Sequence, residues 1–262
     1  MNGHEKSDTA IVATKPANKV ATATAELVER RAGTERNAGQ HGMCRTQSRE
    51  SMSLALGRIR QRAKERKKER FTALAHHLTP DLPTWAFHRL AKDAAAGVAG
   101  VTWDGYAADL ERQITDLHGR VHRGAYQAQP SRRRYIPKAD GRRRPLGVAA
   151  LEDKIVQRAA VEVLGAIYEE DFLGFSYGFR PGRSQHDALD ALAFCITQRK
   201  VSWILDADIS GFFDSVSQDW LVRFLEHRIG DKRIIRLIRK WLTAGVLEAV
   251  SYTHLAGDSQ MT

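Results

Sequence analysis

The chain has 262 residues, of which 42% are hydrophobic and 27% are charged, a composition typical of globular proteins. No apolar run is long enough to span a bilayer, and no signal peptide is recognisable, so we expect a cytoplasmic protein that contacts no membrane. The two cysteines, Cys44 and Cys195, lie far apart in no metal-ligand spacing, which argues against a disulfide framework and a zinc site. The net charge of +10 favours a polyanionic partner, because cations that neutralise phosphates release condensed counterions.

The first half of the chain is predicted to be an arm followed by a helical extension. Residues 1–50 hold few large apolar side chains, so we expect a disordered or loose arm. Residues 51–130 are predicted to form a helical, basic extension. Its helix from Ser53 to Arg70 is almost wholly basic in its second half, and this face either is merely solvated or contacts RNA through Arg58, Arg62, Arg66 and Lys67. Farther along, helical spacing indicates core packing rather than nucleotide stacking for Trp103, Tyr106, Leu110, Ile114 and Leu117.

A basic β-hairpin is predicted between Arg132 and Val148, with Asp140–Gly141 as its turn. One acid accompanies seven cations on this hairpin, namely Arg132, Arg133, Arg134, Lys138, Arg142, Arg143 and Arg144. So many like charges repel one another unless an anion receives them. The hairpin therefore predicts phosphate contacts, and Arg132 and Arg133 are candidates for binding RNA.

The remaining sequence alternates helices with one apolar run. The helices are an amphipathic one over Leu151–Glu170, a second that a capping box starts at Ser184, and two more at about 217–229 and 232–244. Between them, Val201–Asp208 is predicted to be a buried strand that ends in acidic residues. Helices packed against a sheet make the expected fold class α+β.

The segment Trp203–Asp214 carries the clearest chemistry. A strand that ends in a carboxylate, with the backbone turning away at Gly211, suits Mg²⁺, which prefers oxygen ligands. Asp208 and the backbone carbonyl of Ile209 are the candidate ligands, and nucleotidyl transfer would need two such ions. A lone aspartate at a strand end is more often a helix cap or a turn former, and we interpret Asp206 and Asp214 in that way.

Four blocks resemble those of group II intron reverse transcriptase/maturases, in the same order and at the same spacing. They are the fingers hairpin Tyr135–Val148, the helix start Leu151–Gln157, the block Phe175–Leu189 and the first palm motif Asp206–Asp214. The resemblance covers about residues 75–248. It implies a right-hand polymerase, mostly helical, with fingers at residues 131–200 and a partial palm with an incomplete sheet at residues 201–248.

The resemblance also implies roles for single residues. Asp208 would be the first metal-binding, catalytic aspartate, and Phe213 would lie under the incoming sugar and disfavour a ribose 2′-hydroxyl. Lys138 and Arg144 would hold the triphosphate of the incoming nucleotide. Arg180 would also belong to the nucleotide site, whereas Arg183 is equally well a structural partner. The implied activity is RNA-directed DNA synthesis with two Mg²⁺ ions, a DNA primer, deoxynucleotides and an intron RNA template that the protein also helps to fold and splice.

One part of the family pattern is missing. Members complete the metal site with a Tyr-Ala-Asp-Asp turn after a Pro-Gln-Gly-Gly block, and this sequence contains neither. We therefore expect an N-terminal fragment that is inactive alone, and a non-catalytic RNA-binding maturase fragment or remnant is the alternative. A retron or CRISPR-linked reverse transcriptase fits less well, because Pro137-Lys138 and Phe179–Ser184 match the group II blocks. The sequence does not indicate an oligomeric state.

Residues 249–262 are expected to be a non-native tail. The segment Val250–Leu255 fits no family block and equals what the end of a common transposase sequencing adaptor would encode in one frame. Sequencing the source locus through the codon for Ala249 tests this hypothesis. We expect the genomic frame to continue into a Tyr-Ala-Asp-Asp motif, whereas uninterrupted genomic sequence encoding the same tail would contradict it.

Overall fold

A computed structural model describes residues 44–137, 141–199 and 201–248; most of the predicted arm, Lys138 and the predicted tail lie outside this range. The described part is mostly helical with one small sheet, as the predicted α+β class requires. In chain order its elements are α1 Cys44–Glu65, a 3-10 turn Ala75–His77, α2 Asp81–His88, α3 Trp103–Ala107, α4 Leu110–Arg123, β1 Ser131–Pro137, β2 Arg143–Val148, α5 Leu151–Asp171, α6 Gln185–Gln198, α7 Phe212–Ser215, α8 Gln218–Arg228, α9 Lys232–Thr243 and β3 Val246–Leu247.

Two predicted boundaries differ from those observed at the ends of α1. The helix starts at Cys44, so it takes in the last residues of the segment predicted to be an arm. It ends at Glu65 and not at Arg70, and the chain then turns at Lys67 and Lys68. A run of consecutive cations gains little from continuing a helix, because like charges one turn apart repel each other. No helix within the described ranges is long and apolar enough to cross a membrane.

Helix α5 is the centre of the hydrophobic core. Its predicted apolar side is buried, including Ile155, Ala159, Val163 and Ile167. Helices α1 and α2 pack against it and contribute buried side chains such as Ala63, Leu82 and Phe87. Burial of this apolar stripe against two helices is the main contribution to the stability of the fold that the sequence pattern predicts.

The aromatic residues before the hairpin belong to the core, as predicted. Trp103 stacks on Phe87 with a ring-centroid distance of 4.6 Å, and its indole nitrogen donates to the Phe87 carbonyl. Tyr106, Ile114 and Leu117 are buried. Their rings and aliphatic chains therefore face protein, and nucleotide stacking is not their role in this structure.

The sheet has the strand order β2-β1-β3. Strands β1 and β2 form the predicted antiparallel hairpin, with Arg132 opposite Val148 and Ile136 opposite Arg144. The two-residue strand β3 pairs in parallel with the start of β1, where Ser131 is opposite Val246. The hairpin is thereby attached to the chain that follows α9.

The prediction of a buried strand over Val201–Asp208 was wrong for this structure. These residues form no strand, and the side chains of Trp203 and Leu205 are 91% and 90% exposed. An apolar run becomes a strand only when a neighbouring strand pairs with its backbone. Helix α6 starts at the predicted capping box, with Ser184 and Asp187 bonding reciprocally, yet none of its residues is buried. The second half of the chain thus leaves an apolar surface uncovered.

Backbone and side-chain bonds join the residues after α1 to the connection between α8 and α9. The backbone of Phe71 pairs with the chain at Arg228, Gly230 and Asp231. The buried Arg228 donates to both carboxylate oxygens of Asp171, at 2.7 and 3.1 Å, and to the Glu69 carbonyl at 2.6 Å. These bonds pair the N–H donors of the guanidinium, whose burial without partners would cost free energy of folding.

Asp231 is the second buried charge at this place. One carboxylate oxygen accepts from the backbone N–H groups of Leu74 and Ala75, each at 2.8 Å. The other accepts from Arg233 at the start of α9. Burial works to raise the pKa of Asp231, but these hydrogen bonds outweigh it, and the net pKa lies below its usual value of 3.8.

We expect Asp231→Asn to lower the free energy of unfolding by about 2 kcal/mol at pH 7, because an amide offers one acceptor where the carboxylate offers two. A carboxyl group with a depressed folded pKa stabilises the fold above its unfolded pKa, and this stabilisation disappears as the pH falls through the folded pKa. The deficit of the variant should therefore shrink below about pH 4. Urea unfolding of the variant and of the unmodified chain at pH 7 and at pH 3.5 measures this difference in the free energy of unfolding.

The control for this prediction is Asp190→Asn, which removes an exposed carboxylate on α6. It should leave the unfolding midpoint at pH 7 almost unchanged. A deficit in Asp231→Asn that stays constant across the acid range would contradict the assigned role of the charge.

Candidate nucleotide and RNA interface

The two faces of the hairpin carry different sets of cations. Side chains alternate along a strand, so Arg132 and Arg134 of β1 lie on the same face as Arg144, which is opposite Ile136 on β2. Arg134 and Arg144 are exposed and have no ionic partner within residues 44–137, 141–199 and 201–248. One face of the hairpin therefore presents uncompensated positive charge.

The opposite face is partly neutralised by Glu248, which follows β3. Its Oε1 atom accepts a hydrogen bond from the hydroxyl of Tyr135 at 2.9 Å and lies 3.4 Å from Nε of Arg133. The hydrogen bond to the carboxylate raises the pKa of Tyr135. Arg133 is thus engaged within the protein, whereas the face that carries Arg144 remains available for an anion.

Arg180 holds the loop between α5 and α6. Its guanidinium donates to Oε2 of Glu169 at 2.9 Å and to the carbonyls of Glu169, Leu173 and Ser176 at 3.2 to 3.3 Å. It also stacks over the ring of Phe172 at 4.6 Å and is almost fully buried. In this structure Arg180 organises the loop, and its predicted contact with a nucleotide stays a prediction.

The same loop contains a strained residue. Phe179 has a φ angle of +57°, a conformation that L residues with bulky side chains rarely adopt. Such strain persists only where neighbouring bonds impose it, and here Arg180, the next residue, supplies them. The neighbouring Arg183 donates to the carbonyl of Gly174 and lies over the Tyr177 ring, which fits the alternative of a structural partner.

Asp208 lies on an open segment that leads into α7, and Phe213 lies in α7 itself. The backbone N–H of Ile209 donates to Oδ1 of Asp208 at 2.9 Å, which fixes the carboxylate relative to its own chain. The chain then turns at Gly211, whose φ of +61° favours glycine. This turn places Phe213 with its side chain 90% exposed and in edge contact with Phe212. Both predicted site residues are therefore accessible to a ligand.

The oxygen atoms of this segment suit Mg²⁺ in kind. Mg²⁺ is usually bound by one or two carboxylates together with substrate phosphates and water, so the exposed Asp208 and the Ile209 carbonyl match part of such a ligand set. Within the described ranges, no cluster of three or more acidic, histidine or cysteine side chains is arranged to hold a metal ion.

The basic residues of α1 and the turn after it are largely engaged within the protein. Glu69 pairs with Arg62 and, at 3.6 Å, with Arg66, and the hydrogen bond from Arg62 lowers the pKa of Glu69. Lys67 donates to the carbonyl of Glu170. Arg58 is exposed without an ionic partner in the described part, at the edge of a groove of about 290 Å³. Of the four candidates, Arg58 is the one most available to RNA.

The structure brings together only part of the predicted site. Arg132 and Arg144 share a face with Arg134, which the sequence did not single out, whereas Asp208 and Phe213 lie on a separate segment. Sequence reasoning also missed the polar side of α9, on which all charged residues are basic. The helical spacing of its cations was the available signal, namely Lys232, Arg233, Arg236, Arg239 and Lys240.

Residues 136–260 match the family model described as reverse transcriptase (RNA-dependent DNA polymerase). The matched range begins in β1 and contains β2, the Arg180 loop and the Asp208 segment. It also extends into the segment predicted to be a non-native tail. The match therefore covers the residues for which a polymerase role was predicted, with the exception of the basic residues before residue 136.

Three curated relatives are similar to the chain. It is 39% identical over 155 residues to protein YkfC of Escherichia coli. This alignment covers 58% of this chain and 41% of that protein. It is 35% identical over 199 residues to the group II intron-encoded protein LtrA of Lactococcus lactis, and the alignment covers 75% of this chain and 33% of that protein. It is 30% identical over 99 residues to nuclear intron maturase 2 of Arabidopsis thaliana, and the alignment covers 37% of this chain and 13% of that protein. The chain thus spans less than half the length of each relative.

We expect Arg180→Lys to destabilise the loop between α5 and α6. An ammonium group cannot reproduce the planar fork that reaches Glu169, Leu173 and Ser176 together, so unfolding should become easier by about 1–3 kcal/mol. Hydrogen exchange of residues 172–183 should also accelerate. The matched control is Arg183→Lys, which removes a guanidinium with one carbonyl acceptor. Equal effects of the two substitutions would contradict the structural role of Arg180.

Proposed function

Because the chain belongs to the group II intron-encoded reverse transcriptase/maturases, we propose that its residues serve RNA-directed DNA synthesis on an intron RNA template. The observation that carries the proposal is the accessible pair of Asp208 and Phe213 within the range that matches the reverse transcriptase model. The relatives are longer than this chain, so the activity is proposed for the protein to which these residues belong.

In the proposed reaction, the 3′-hydroxyl of a DNA primer attacks the α-phosphate of a deoxynucleotide and pyrophosphate leaves. Asp208 and the carbonyl of Ile209 would hold Mg²⁺. When bound, two such ions stabilise charge on the attacking and leaving oxygens. The contribution of the chain is to position the reactants, which is the main source of catalysis in phosphoryl transfer.

The hairpin and α7 would position the nucleotide. Arg144 would bind the triphosphate through its planar guanidinium, together with Lys138 as a point charge. Phe213 would pack under the sugar, where a ribose 2′-hydroxyl would clash. Arg180 joins this proposal as a predicted nucleotide contact that would have to exchange some of its carbonyl acceptors for phosphate.

The RNA would lie along the basic surfaces of the hairpin and α1. Arg132 and Arg133 on the hairpin and Arg58, Arg62, Arg66 and Lys67 near α1 are the proposed contacts. Such contacts with phosphates supply affinity and register without reading base sequence. The same surfaces would serve folding and splicing of the intron RNA.

A second candidate function is RNA binding without chemistry. The favouring observation is that no cluster of three or more acidic, histidine or cysteine side chains is arranged to hold a metal ion in the described part, whereas one face of the hairpin presents cations without an ionic partner there. Two experiments on the full-length protein to which these residues belong separate the candidates: filter binding to an RNA template annealed to a DNA primer, and primer extension with Mg²⁺. Extension supports the polymerase, whereas binding that weakens steeply with salt and proceeds without extension supports the binder. Absence of both activities would contradict both proposals.

We expect Asp208→Asn to weaken binding of Mn²⁺ together with a deoxynucleoside triphosphate by about tenfold or more, because a charged ligand of the ion is lost. Electron paramagnetic resonance of Mn²⁺ measures this without requiring turnover. Where extension is detectable, its rate should fall by roughly 100-fold. Asp206→Asn is the matched control from the same motif. Equal loss in the two variants would contradict the assignment of Asp208.

A further inference from the structure

A cavity of about 90 Å³ lies between the end of α4 and the polar side of α9. Its wall carries Arg123, Arg233, Arg236 and Lys240, and no acidic side chain among the described residues lines it. Its floor is formed by the aliphatic residues Leu78, Val121, Ile234 and Leu237. The volume is well below the roughly 300 Å³ at which pockets for drug-sized ligands begin, so one phosphate group suits it better than a whole nucleotide.

The cations of this cavity are unequally engaged. Lys240 donates to the carbonyls of Gly124 and Tyr126, which fixes α9 against the end of α4. Arg233 lies 3.4 Å from the buried carboxylate of Asp231. Arg123 and Arg236 are exposed and have no ionic partner among the residues that the structure describes. Arg123 and Arg236 therefore place positive charge here that no described acidic residue pairs with.

The arrangement is unsuited to a membrane surface. A helix that lies on a bilayer inserts apolar side chains next to its cations. In α9 the apolar residues Ile234, Ile235 and Leu237 are buried in the core. The exposed side of α9 thus offers charge alone, which suits a solvated polyanion.

The cavity lies where both of its helices lead into the sheet. The chain leaves α4 at Arg123 and enters β1 at Ser131, and it leaves α9 at Thr243 and enters β3 at Val246. The N–H of Ser131 donates to the carbonyl of Gly245 at 3.0 Å, which joins the two connections. The cationic cavity is therefore connected through short segments to the basic hairpin, which begins with Arg132.

We propose that the cavity between α4 and α9 holds a backbone phosphate of structured RNA, bound mainly by Arg123 and Arg236. Guanidinium groups suit this role because their planar forks donate two hydrogen bonds to phosphate oxygens. The relatives named for introns make RNA the favoured polyanion. The proposal goes beyond the nucleotide site, since it involves neither Asp208 nor catalysis.

The test measures binding of a fluorescein-labelled RNA hairpin to the full chain by anisotropy over a series of KCl concentrations. In the double variant Arg123→Gln/Arg236→Gln, we expect about tenfold weaker binding at moderate salt. The slope of log affinity against log salt should fall by about one, because the contact with one phosphate is lost. The charge-preserving variant Arg123→Lys/Arg236→Lys should retain most of the slope.

The matched control is Arg239→Gln, on the same helix but outside the cavity and paired with Glu226 at 3.8 Å. It should change the affinity less than twofold. Equal effects of the control and the double variant, or an unchanged slope in the double variant, would overturn the proposal. A thermal melt that matches that of the unmodified chain shows that each variant is folded.

Two further outcomes identify the ligand class. Duplex DNA of the same sequence should compete at least tenfold less well than the RNA hairpin, and equal competition would overturn the assignment to RNA. Binding of vesicles that contain phosphatidylserine, lost in the double variant while RNA binding persists, would replace the proposal by a membrane contact. The binding assay requires neither nucleotide nor primer extension, so failure of the polymerase proposal is distinguishable from failure of this one.

Discussion

The junction of Phe71, Arg228 and Asp231 is the constraint on which the rest of the structure depends. Phe71 pairs with the backbone around Ile229, and the two buried charges on either side bind carbonyl and N–H groups of the chain that follows α1. A buried charge is tolerated only when nearly all of its hydrogen-bonding atoms are satisfied. The junction therefore fixes the positions of α1, α5 and α9 together, and a loss at one of them would leave a charge unpaired.

A second buried group extends this constraint to the root of the hairpin. The carboxylate of Asp153 on α5 accepts from the hydroxyl of Tyr126 and from the N–H of Gln129, and Trp241 of α9 donates to the same hydroxyl at 2.9 Å. Burial raises the pKa of Asp153, while the hydrogen bonds oppose that shift. The segment that enters β1 is thus held between α5 and α9. The segment that links the cavity to the hairpin is therefore attached to the core through α5 and α9.

The sequence predicted the elements whose signals are local. The apolar period of α5, the capping box at Ser184 and the turn around Gly141 each depend on residues within one or two turns of each other. The buried charges gave no such signal, because Asp231 bonds to Leu74 and Ala75, which are 157 and 156 residues earlier. The candidate site shows the same division. The basic hairpin was visible in the sequence, whereas the shared face of Arg134 and Arg144 required the register, and the α9 cavity required the packing of α4.

The wrong strand prediction at Val201–Asp208 has a physical reason that also bears on function. An apolar run indicates what a segment can bury, but the pairing of its backbone depends on a neighbouring strand. Here α6, the Asp208 segment and α8 expose Phe194, Leu205 and Phe224, so the charged, bonded half of the structure adjoins an apolar, open half. Exposed apolar surface of this extent is typical of an interaction site. The proposed metal ligand Asp208 lies in this open half, whereas the cations proposed to contact phosphate lie on elements that buried hydrogen bonds attach to the core.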